Sequence, residues 1–470
     1  MTTGSRRVAV VGAGPAGLYC LPPLLADDSV EGVDVFDALP APFGLVRYGV
    51  AADHAKTKRV AKVLARELER DQVRFFGNVH LGTDLHLADL HEHYDAVVIA
   101  TGASHDRPLE IPGADLVGSH GAAEFVAWYS GHPDAGEDIS LTRGPAAVVI
   151  GAGNVALDVT RILAKASDEL ATTDMPDDVI AQLAGSTVTD VHVLIRRGPA
   201  QVKFSAPELR ELGRLANATV VIDPVDLDLD PESQVLTGTS RDAATAVKVF
   251  RGWLDEADTR GPLPRRVHLH FWSSPKRLLG ATEVSAVEVV RRRPATAGGT
   301  PTEETFELPA SLVLRAIGYQ PDALPEVPFD ADRCIVPHDA GRVLAAPGGA
   351  PVTGLYVSGW VKRGPTGVIG TNRSDAVETA SSLLADLPAL PARPVRDAAG
   401  IVAVLLARGV QVVDWGGWLR LEQHEATLGV ARGAETVKVA RREAMLAATR
   451  EVSEAEALAV ETAEAGRPTS

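Results

Sequence analysis

The sequence predicts an α/β fold in which parallel strands alternate with helices in two separate units, and three observations predict it. The aliphatic run Val8–Val11 enters the turn Gly12-Ala13-Gly14-Pro15-Ala16-Gly17, a strand, a glycine-rich turn and a helix start in succession. The same pattern returns at Ala147–Ile150, followed by Gly151-Ala152-Gly153-Asn154-Val155-Ala156. Aromatic residues make up only 5% of the 470 residues, and the aliphatic surplus suits parallel strands covered by helices on both faces. One glycine motif of this kind is weak evidence; two in register make a pair of Rossmann-like dinucleotide-binding domains the expected architecture.

In the first turn Gly12 permits the tight bend, Gly14 lets a pyrophosphate approach the backbone around Ala13, and Gly17 lets the helix pack on the strand. Pro22-Pro23 should kink or end that helix. The strand Gly32–Asp37 then sets a carboxylate twenty residues beyond Gly17, where an acid accepts hydrogen bonds from ribose hydroxyls. After the irregular stretch Pro42–His54 comes a helical pattern from Lys56 to Arg70. Tyr94–Gly102 reads as a return strand with an Ala-Thr-Gly turn, and His91-Glu92-His93 before it as a solvated turn rather than a metal site. Arg107 and Leu109–Gly113 read as a hinge into the second unit.

There Ala156 replaces the third glycine, a change the motif allows. The strand Val191–Ile195 ends in Arg196-Arg197 with no carboxylate, and two guanidinium groups at that place suit a 2′-phosphate, hence NADP over NAD. Phe204–Leu212 is a helix start with Pro207 in its first turn and Glu208 near the positive dipole end. From Ile222 to Glu307 the chain reads as polar and irregular, with one strand near Arg266–Trp272 and a solvated charge run at Arg291–Arg293. Leu312–Tyr319 is a second return strand. Gly354–Thr371 gives strand, turn and a helix from about Ser374, whose N-terminus favours developing negative charge. Pro391–Pro394 is a linker, followed by a helix at Ile401–Ala407, a short strand at Val410–Val413, a tight turn at Trp415–Trp418 and a final helix fraying near Gly466.

A formal net charge of -16 argues against nucleic acid as a partner. Cys20 and Cys334 form no CxxC pair and read as small buried hydrophobes. With no apolar run of about 18 residues, a cytoplasmic protein without membrane insertion is expected.

Phe43-Gly44-Leu45-Val46-Arg47-Tyr48-Gly49-Val50-Ala51-Ala52-Asp53-His54 resembles the signature of ferredoxin–NADP reductases of the adrenodoxin reductase type, and Gly359-Trp360 with Gly367-Val368-Ile369 resembles a second segment of that family. The sequence departs at Ala52, often Pro in the family, and at Asp37, often Glu. The resemblance covers about residues 1–390. It implies glutathione reductase-like architecture with FAD in the first seat and NADP(H) in the second, and electron transfer from NADPH through the flavin to a ferredoxin. FAD contacts are then expected from Gly12, Ala13, Gly14, Gly17, Asp37, Leu45, Val79, Trp360, Gly367, Val368 and Ile369. NADP contacts are expected from Arg107, Gly153, Asn154, Val155, Arg196, Arg197, Glu208 and Gly367. His54 and Glu211 become the catalytic pair, with no metal. The implied domains are 1–105 and 323–390 for FAD, 106–322 for NADP, and 391–470 as an extension packed on the FAD domain. Lys56, Lys58, Arg59, Lys362 and Arg363 form a basic face for the ferredoxin. Rival readings weaken on missing cysteines: a pyridine nucleotide-disulfide reductase needs a redox dithiol, and a glutamate synthase small-subunit-like protein needs N-terminal cluster ligands. A redox sensor that binds NADP without turnover is the reading from another class.

Overall fold

The computed structural model describes residues 6–136, 139–257, 263–296 and 300–450. Two sheets organise them. The first has seven strands in the order His338–Asp339, Arg342–Leu344, Pro351–Val357, Ala96–Ile99, Arg6–Val11, Val30–Asp37 and Val73–Gly77. Its last five strands are mutually parallel, and Val8, Ala9 and Val10 are wholly buried, as a strand covered on both faces must be. The second has six strands, all parallel, in the order Ser119–Gly121, Leu312–Arg315, Ala146–Ile150, Asp190–Leu194, Arg265–His270 and Ala218–Ile222. In each sheet the strand that feeds the glycine turn is interior.

The chain crosses between the sheets twice, and the two crossings pair with each other. His105–Asp106 runs antiparallel to Tyr319–Gln320, and the Arg107 amide donates to the Gly318 carbonyl at 2.9 Å. The Asp106 carboxylate caps the helix Ala122–Tyr129 by accepting from the Ala123 amide, which ties this ribbon to the second sheet's layer.

Several elements differ from the sequence expectation. The proline pair divides the first helix into Pro15–Leu18 and Leu21–Leu25, with both prolines in the first turn of the second piece, where their missing N–H groups cost nothing. The stretch expected to be irregular carries helices Pro231–Thr239 and Arg241–Ala257 and an antiparallel sheet of Ser273–Leu279, Ala286–Arg293 and Thr302–Pro309. Among the described side chains Ala243, Ala246, Val247 and Phe250 carry the longer helix's buried stripe, which small alanines made hard to see. Arg291–Arg293 is not simply solvated: Arg293 pairs with Asp226 at 2.7 Å, Arg291 with Glu304 at 3.2 Å and Arg292 with Glu303 at 2.8 Å. His91–His93 ends the helix Leu87–His93, and His93 is buried. Cys20 is buried, but Cys334 is half-exposed in a turn.

The C-terminal extension also departs from expectation. Asp414 caps the Gly417 amide at 2.7 Å, so the tryptophan pair opens an 18-residue helix, Trp415–Arg432, instead of a turn. Nor does the extension rest on one lobe alone. It bonds Val413 to Gly77 at the edge of the first sheet, yet Arg432 reaches the Thr173 and Met175 carbonyls and Asp177 of the second lobe. Arg442 joins both, donating to the Ala38 carbonyl and pairing with Asp134 at 2.8 Å. The expected final helix lies outside the described residues. Among the described residues no helix is long and apolar enough to cross a membrane.

Buried Lys438 lies 3.2 Å from Asp174, which also binds Lys58 at 2.7 Å. Burial alone pushes the Asp174 carboxyl up, but Lys438 and Lys58 outweigh it and hold the group down at about 2. A folded-state value below the ordinary ~3.9 stabilises the protein fully above that pH and stops doing so as pH falls towards the folded value. The advantage of wild type over Asp174→Asn in urea unfolding midpoint should therefore shrink between about pH 4 and 2, as the carboxylate takes up its proton. A difference that stays flat across that window would contradict the assignment.

Candidate active site

The first glycine turn is an open cradle. Gly12 has φ +112°, and a Cβ there would lie 2.4 Å from the Ala100 carbonyl oxygen, so only glycine lets the two strand ends meet. At Gly14 the nearest atom to an ideal Cβ is the Gly44 Cα at 4.0 Å, and the Phe43 amide donates to the Ala13 carbonyl at 2.9 Å. The Phe43–Tyr48 stretch is thereby pinned to the turn, with Leu45 opening a short helix, Leu45–Tyr48. From the other side a Cβ on Gly359 would lie 2.4 Å from the Ala16 Cβ, which brings Trp360 against the same turn. Trp360 donates from Nε1 to the Thr366 carbonyl at 3.1 Å and stands 5.6 Å, ring to ring, from Tyr319 of the interlobe ribbon. Beyond it Gly367 and the 73%-exposed Val368 form an open turn, while Ile369 packs partly into the core. Val79 is buried beside Asp37, donating from its amide to the Asp37 carbonyl at 2.9 Å.

Asp37 is more engaged than a free ribose acceptor would be. Its carboxylate accepts from the Ala13 amide at 2.7 Å and the Leu39 amide at 2.9 Å. Burial pushes the carboxyl up to about 6 despite those two donors. Each oxygen keeps a second lone pair, so a ribose hydroxyl still has an acceptor. The bare backbone and the half-buried acid fit the adenosine and pyrophosphate of FAD.

The second seat fits a phosphate in its own way. A Cβ at Gly153 would meet nothing within 4 Å, and Gly153 caps the eleven-residue helix Asn154–Ala164, whose first N–H groups face that space. Asn154 accepts from the Ser205 amide at 2.9 Å and so ties this turn to the helix Ala206–Leu212; Val155 is partly buried beside it. Arg196 and Arg197 come one residue after the strand Asp190–Leu194, both exposed, with no side-chain partner among the described residues. Arg107 runs over Gly318, where a Cβ would lie 3.6 Å from its Cδ. These residues fit NADP(H).

Between the seats lies an ionic cluster drawn from three segments. His54 Nε2 is 2.8 Å from Glu211 Oε2 and 3.5 Å from Glu208 Oε2. The sequence pointed to these three and missed what organises them, Arg161, whose side chain is 1% exposed. Its guanidinium chelates Asp53 at 2.8 and 2.9 Å, reaches Asp158 at 3.0 Å and Glu208 at 3.1 Å, and touches His54 Nε2 at 2.8 Å. Lys165 adds a bond to Asp53 at 2.6 Å. Burial pushes the Asp158 carboxyl up to about 7, against the pull of Arg161. The only available signal was a pair of opposite charges, Asp158 and Arg161, three residues apart on a largely apolar helix. His54, Glu208 and Glu211 lie close enough to hold a metal ion. Arg161 already sets a cation against them, and a metal there would face its repulsion.

The expected basic face needs correction. Lys362 is not a docking residue: it is 2% exposed and pairs with Asp375 at 2.9 Å and Glu378 at 2.5 Å. Arg363 donates to Asn372 at 2.6 Å and Lys58 is bound to Asp174, so of the five basic residues only Lys56 and Arg59 are exposed. Cys20 is no redox thiol, because burial pushes it up to about 12.

Residues 6–198 match the family described as pyridine nucleotide-disulphide oxidoreductase. The chain is 39% identical over 452 residues to a NADPH-ferredoxin reductase FprA of Mycobacterium tuberculosis, covering 92% of this chain and 96% of that one. It is 37% identical over 466 residues to a mitochondrial NADPH:adrenodoxin oxidoreductase of Arabidopsis thaliana, covering 94% and 95%. The solved structure of Mycobacterium tuberculosis FprA in complex with NADPH superposes with a TM-score of 0.86 at 37% identity, over 95% of this chain and 99% of that one. The two glycine seats, the paired crossings and the shared length agree on one assignment: this chain belongs to the ferredoxin–NADP reductases of the adrenodoxin reductase type.

Proposed function

We propose that the protein is an FAD-dependent ferredoxin–NADP reductase that passes electrons from NADPH to a ferredoxin-type iron–sulfur protein in the cytoplasm. The observation that carries the reading is the cluster between the two seats, where His54 of the first lobe meets Glu208 and Glu211 of the second within 2.8 to 3.5 Å. Bound flavin supplies the exchange between a two-electron nicotinamide donor and a one-electron acceptor. The chain's part is to hold both cofactors in register and keep the charges around them fixed. In this reading residues 1–105 and 323–390 bind FAD through Gly12, Ala13, Gly14, Gly17, Asp37, Leu45, Val79, Trp360 and Gly367–Ile369. Residues 106–322 bind NADP through Arg107, Gly153, Asn154, Val155, Arg196, Arg197 and Glu208, with Gly367 meeting the nicotinamide.

His54 and Glu211 orient the nicotinamide and hold a proton at His54 Nε2. His54→Gln and Glu211→Gln should each slow NADPH-driven flavin bleaching by roughly 10- to 100-fold, the cost of misplacing a reacting ring, while the protein stays yellow. Unchanged stopped-flow traces would remove both residues from the mechanism. For the acceptor, cytochrome c reduction should require added ferredoxin and fall steeply with salt, because exposed Lys56 and Arg59 attract an acidic partner. Turnover without ferredoxin, or turnover indifferent to salt, speaks against that partner.

A further inference from the structure

The strands Val30–Asp37 and Val73–Gly77 pair in parallel with Asp37 opposite Gly77, so the chain leaves both at the same end of the sheet. A ligand held outside the carboxyl ends of parallel strands meets what comes next, Asp37 to Leu39 from one strand and Asn78 and Val79 from the other. Asn78 stands there in the left-handed region, at φ +59°, which a residue with a Cβ keeps only when its surroundings hold it. The C-terminal extension holds its side chain at both ends. Asn78 Nδ2 donates to the Gln411 carbonyl at 2.9 Å, and Oδ1 accepts from Arg442 at 2.7 Å. In the resulting bend the Asn78 amide donates to the Leu39 carbonyl at 3.0 Å and the Val79 amide to the Asp37 carbonyl at 2.9 Å. Leu39 in turn donates from its amide to the Asp37 carboxylate at 2.9 Å.

We propose that Arg442 is a positioning residue of the FAD seat: by gripping Asn78 and Ala38 together it fixes the two strand ends that present Asp37 and Val79 to the adenosine half of the cofactor. The inference rests on the reading of Asp37 and Val79 as FAD contacts given above. The two hydrogens of Arg442 Nη1 go one to Asn78 and one to the Ala38 carbonyl at 3.0 Å, so a single nitrogen spans both strand ends. Nη2 is taken by the two oxygens of Asp134, each at 2.8 Å, which keeps the fork from turning away. A planar guanidinium serves carbonyl, amide and carboxylate at once, as a lysine ammonium at that place would not.

Arg432 supplies the contrast. It belongs to the same extension and also fastens it to the body of the protein, through the Thr173 and Met175 carbonyls and Asp177. Those three partners lie in the second lobe, away from the ends of the first sheet's strands. Losing either arginine loosens the extension, and only the loss of Arg442 reaches Asn78 and Ala38.

Release of FAD from the diluted holoenzyme, measured as free flavin passing a protein-retaining filter, tests this without turnover. Arg442→Ala should release FAD about 10-fold faster than wild type, the effect of losing a hydrogen bond from a charged donor, while Arg432→Ala releases it at the wild-type rate. Equal rates in the two variants, raised or not, would show that Arg442 only fastens the extension, and overturn the proposal. Action through Asn78 has its own signature. In an Asn78→Gly background, where glycine keeps the left-handed bend freely, Arg442→Ala should accelerate release by less than about threefold. The full acceleration there overturns the proposal. A further pair of variants leaves Arg442 in place and so does not depend on the folding of Arg442→Ala. Asn78→Ala should release FAD faster than Asn78→Gly, because only alanine resists the left-handed region, and equal release overturns the proposal. Failure of the underlying reading has a different signature, an Asp37→Ala protein that holds FAD as tightly as wild type.

Discussion

Replacing Arg196 and Arg197 together with alanine raises the KM for NADPH by about two to three orders of magnitude and leaves turnover with NADH nearly unchanged. Hydrogen bonds to a charged group contribute roughly 1.5–3 kcal/mol each, or about 10- to 150-fold, and neither guanidinium has another partner among the described residues that would soften its loss. Both residues follow the strand Asp190–Leu194 in the second sheet, at the position where an NAD-selective protein carries an acid. Because the side chains are exposed and unpaired, the double variant should keep its unfolding midpoint, which separates lost recognition from lost structure. Steady-state kinetics with both nucleotides decide the matter: equal losses with NADPH and NADH would show that the pair does not read the 2′-phosphate.

Glu425→Ala destabilises the protein by about 3–5 kcal/mol, the usual consequence of leaving one member of a buried ion pair without its partner. Glu425 is 2% exposed at its side chain and lies 2.5 Å from Arg47, whose guanidinium sits 5.0 Å over the Tyr48 ring and 5.1 Å over Trp418. The same carboxylate accepts from the Val439 amide at 2.9 Å, and Lys438 donates to the Arg47 carbonyl at 2.7 Å. Losing Glu425 therefore frees a buried cation and loosens the extension in one step. Since Arg47 lies two residues beyond Leu45 in the segment proposed to lie along the flavin, the variant should also release flavin at a lower temperature. A thermal scan that follows flavin fluorescence measures both effects, and a midpoint equal to wild type would show that the extension is not needed to hold that segment.

What was legible in the sequence followed from how far each feature reaches along the chain. The glycine turns, the aliphatic strands and the arginine pair are local: Gly12 needs its bend because the Ala100 carbonyl sits 2.4 Å from where a side chain would be, and adjacent residues declare that need. The Arg161 cluster joins residues 53–54, 158–165 and 208–211, and no spacing rule connects three segments so far apart. His54 and Glu211 were found through a resemblance, whereas Arg161 looked like one more helical arginine. The extension failed for a related reason. Two glycines inside Trp415–Trp418 resemble a turn until Asp414 is seen to cap the Gly417 amide. Lys362 and Arg363 looked like a landing surface because charge in a sequence gives no sign of burial, and buried lysines exist wherever carboxylates such as Asp375 are set to meet them.

The antiparallel ribbon of His105–Asp106 and Tyr319–Gln320 makes the second lobe a loop with a single doorway: its polypeptide leaves and rejoins the parent sheet at one spot. The stretch in between enters and leaves without passing through the first sheet, so the strand order of that sheet does not depend on it. A replacement would still have to remake the contacts by which Asp53, His54 and Arg432 grip that lobe.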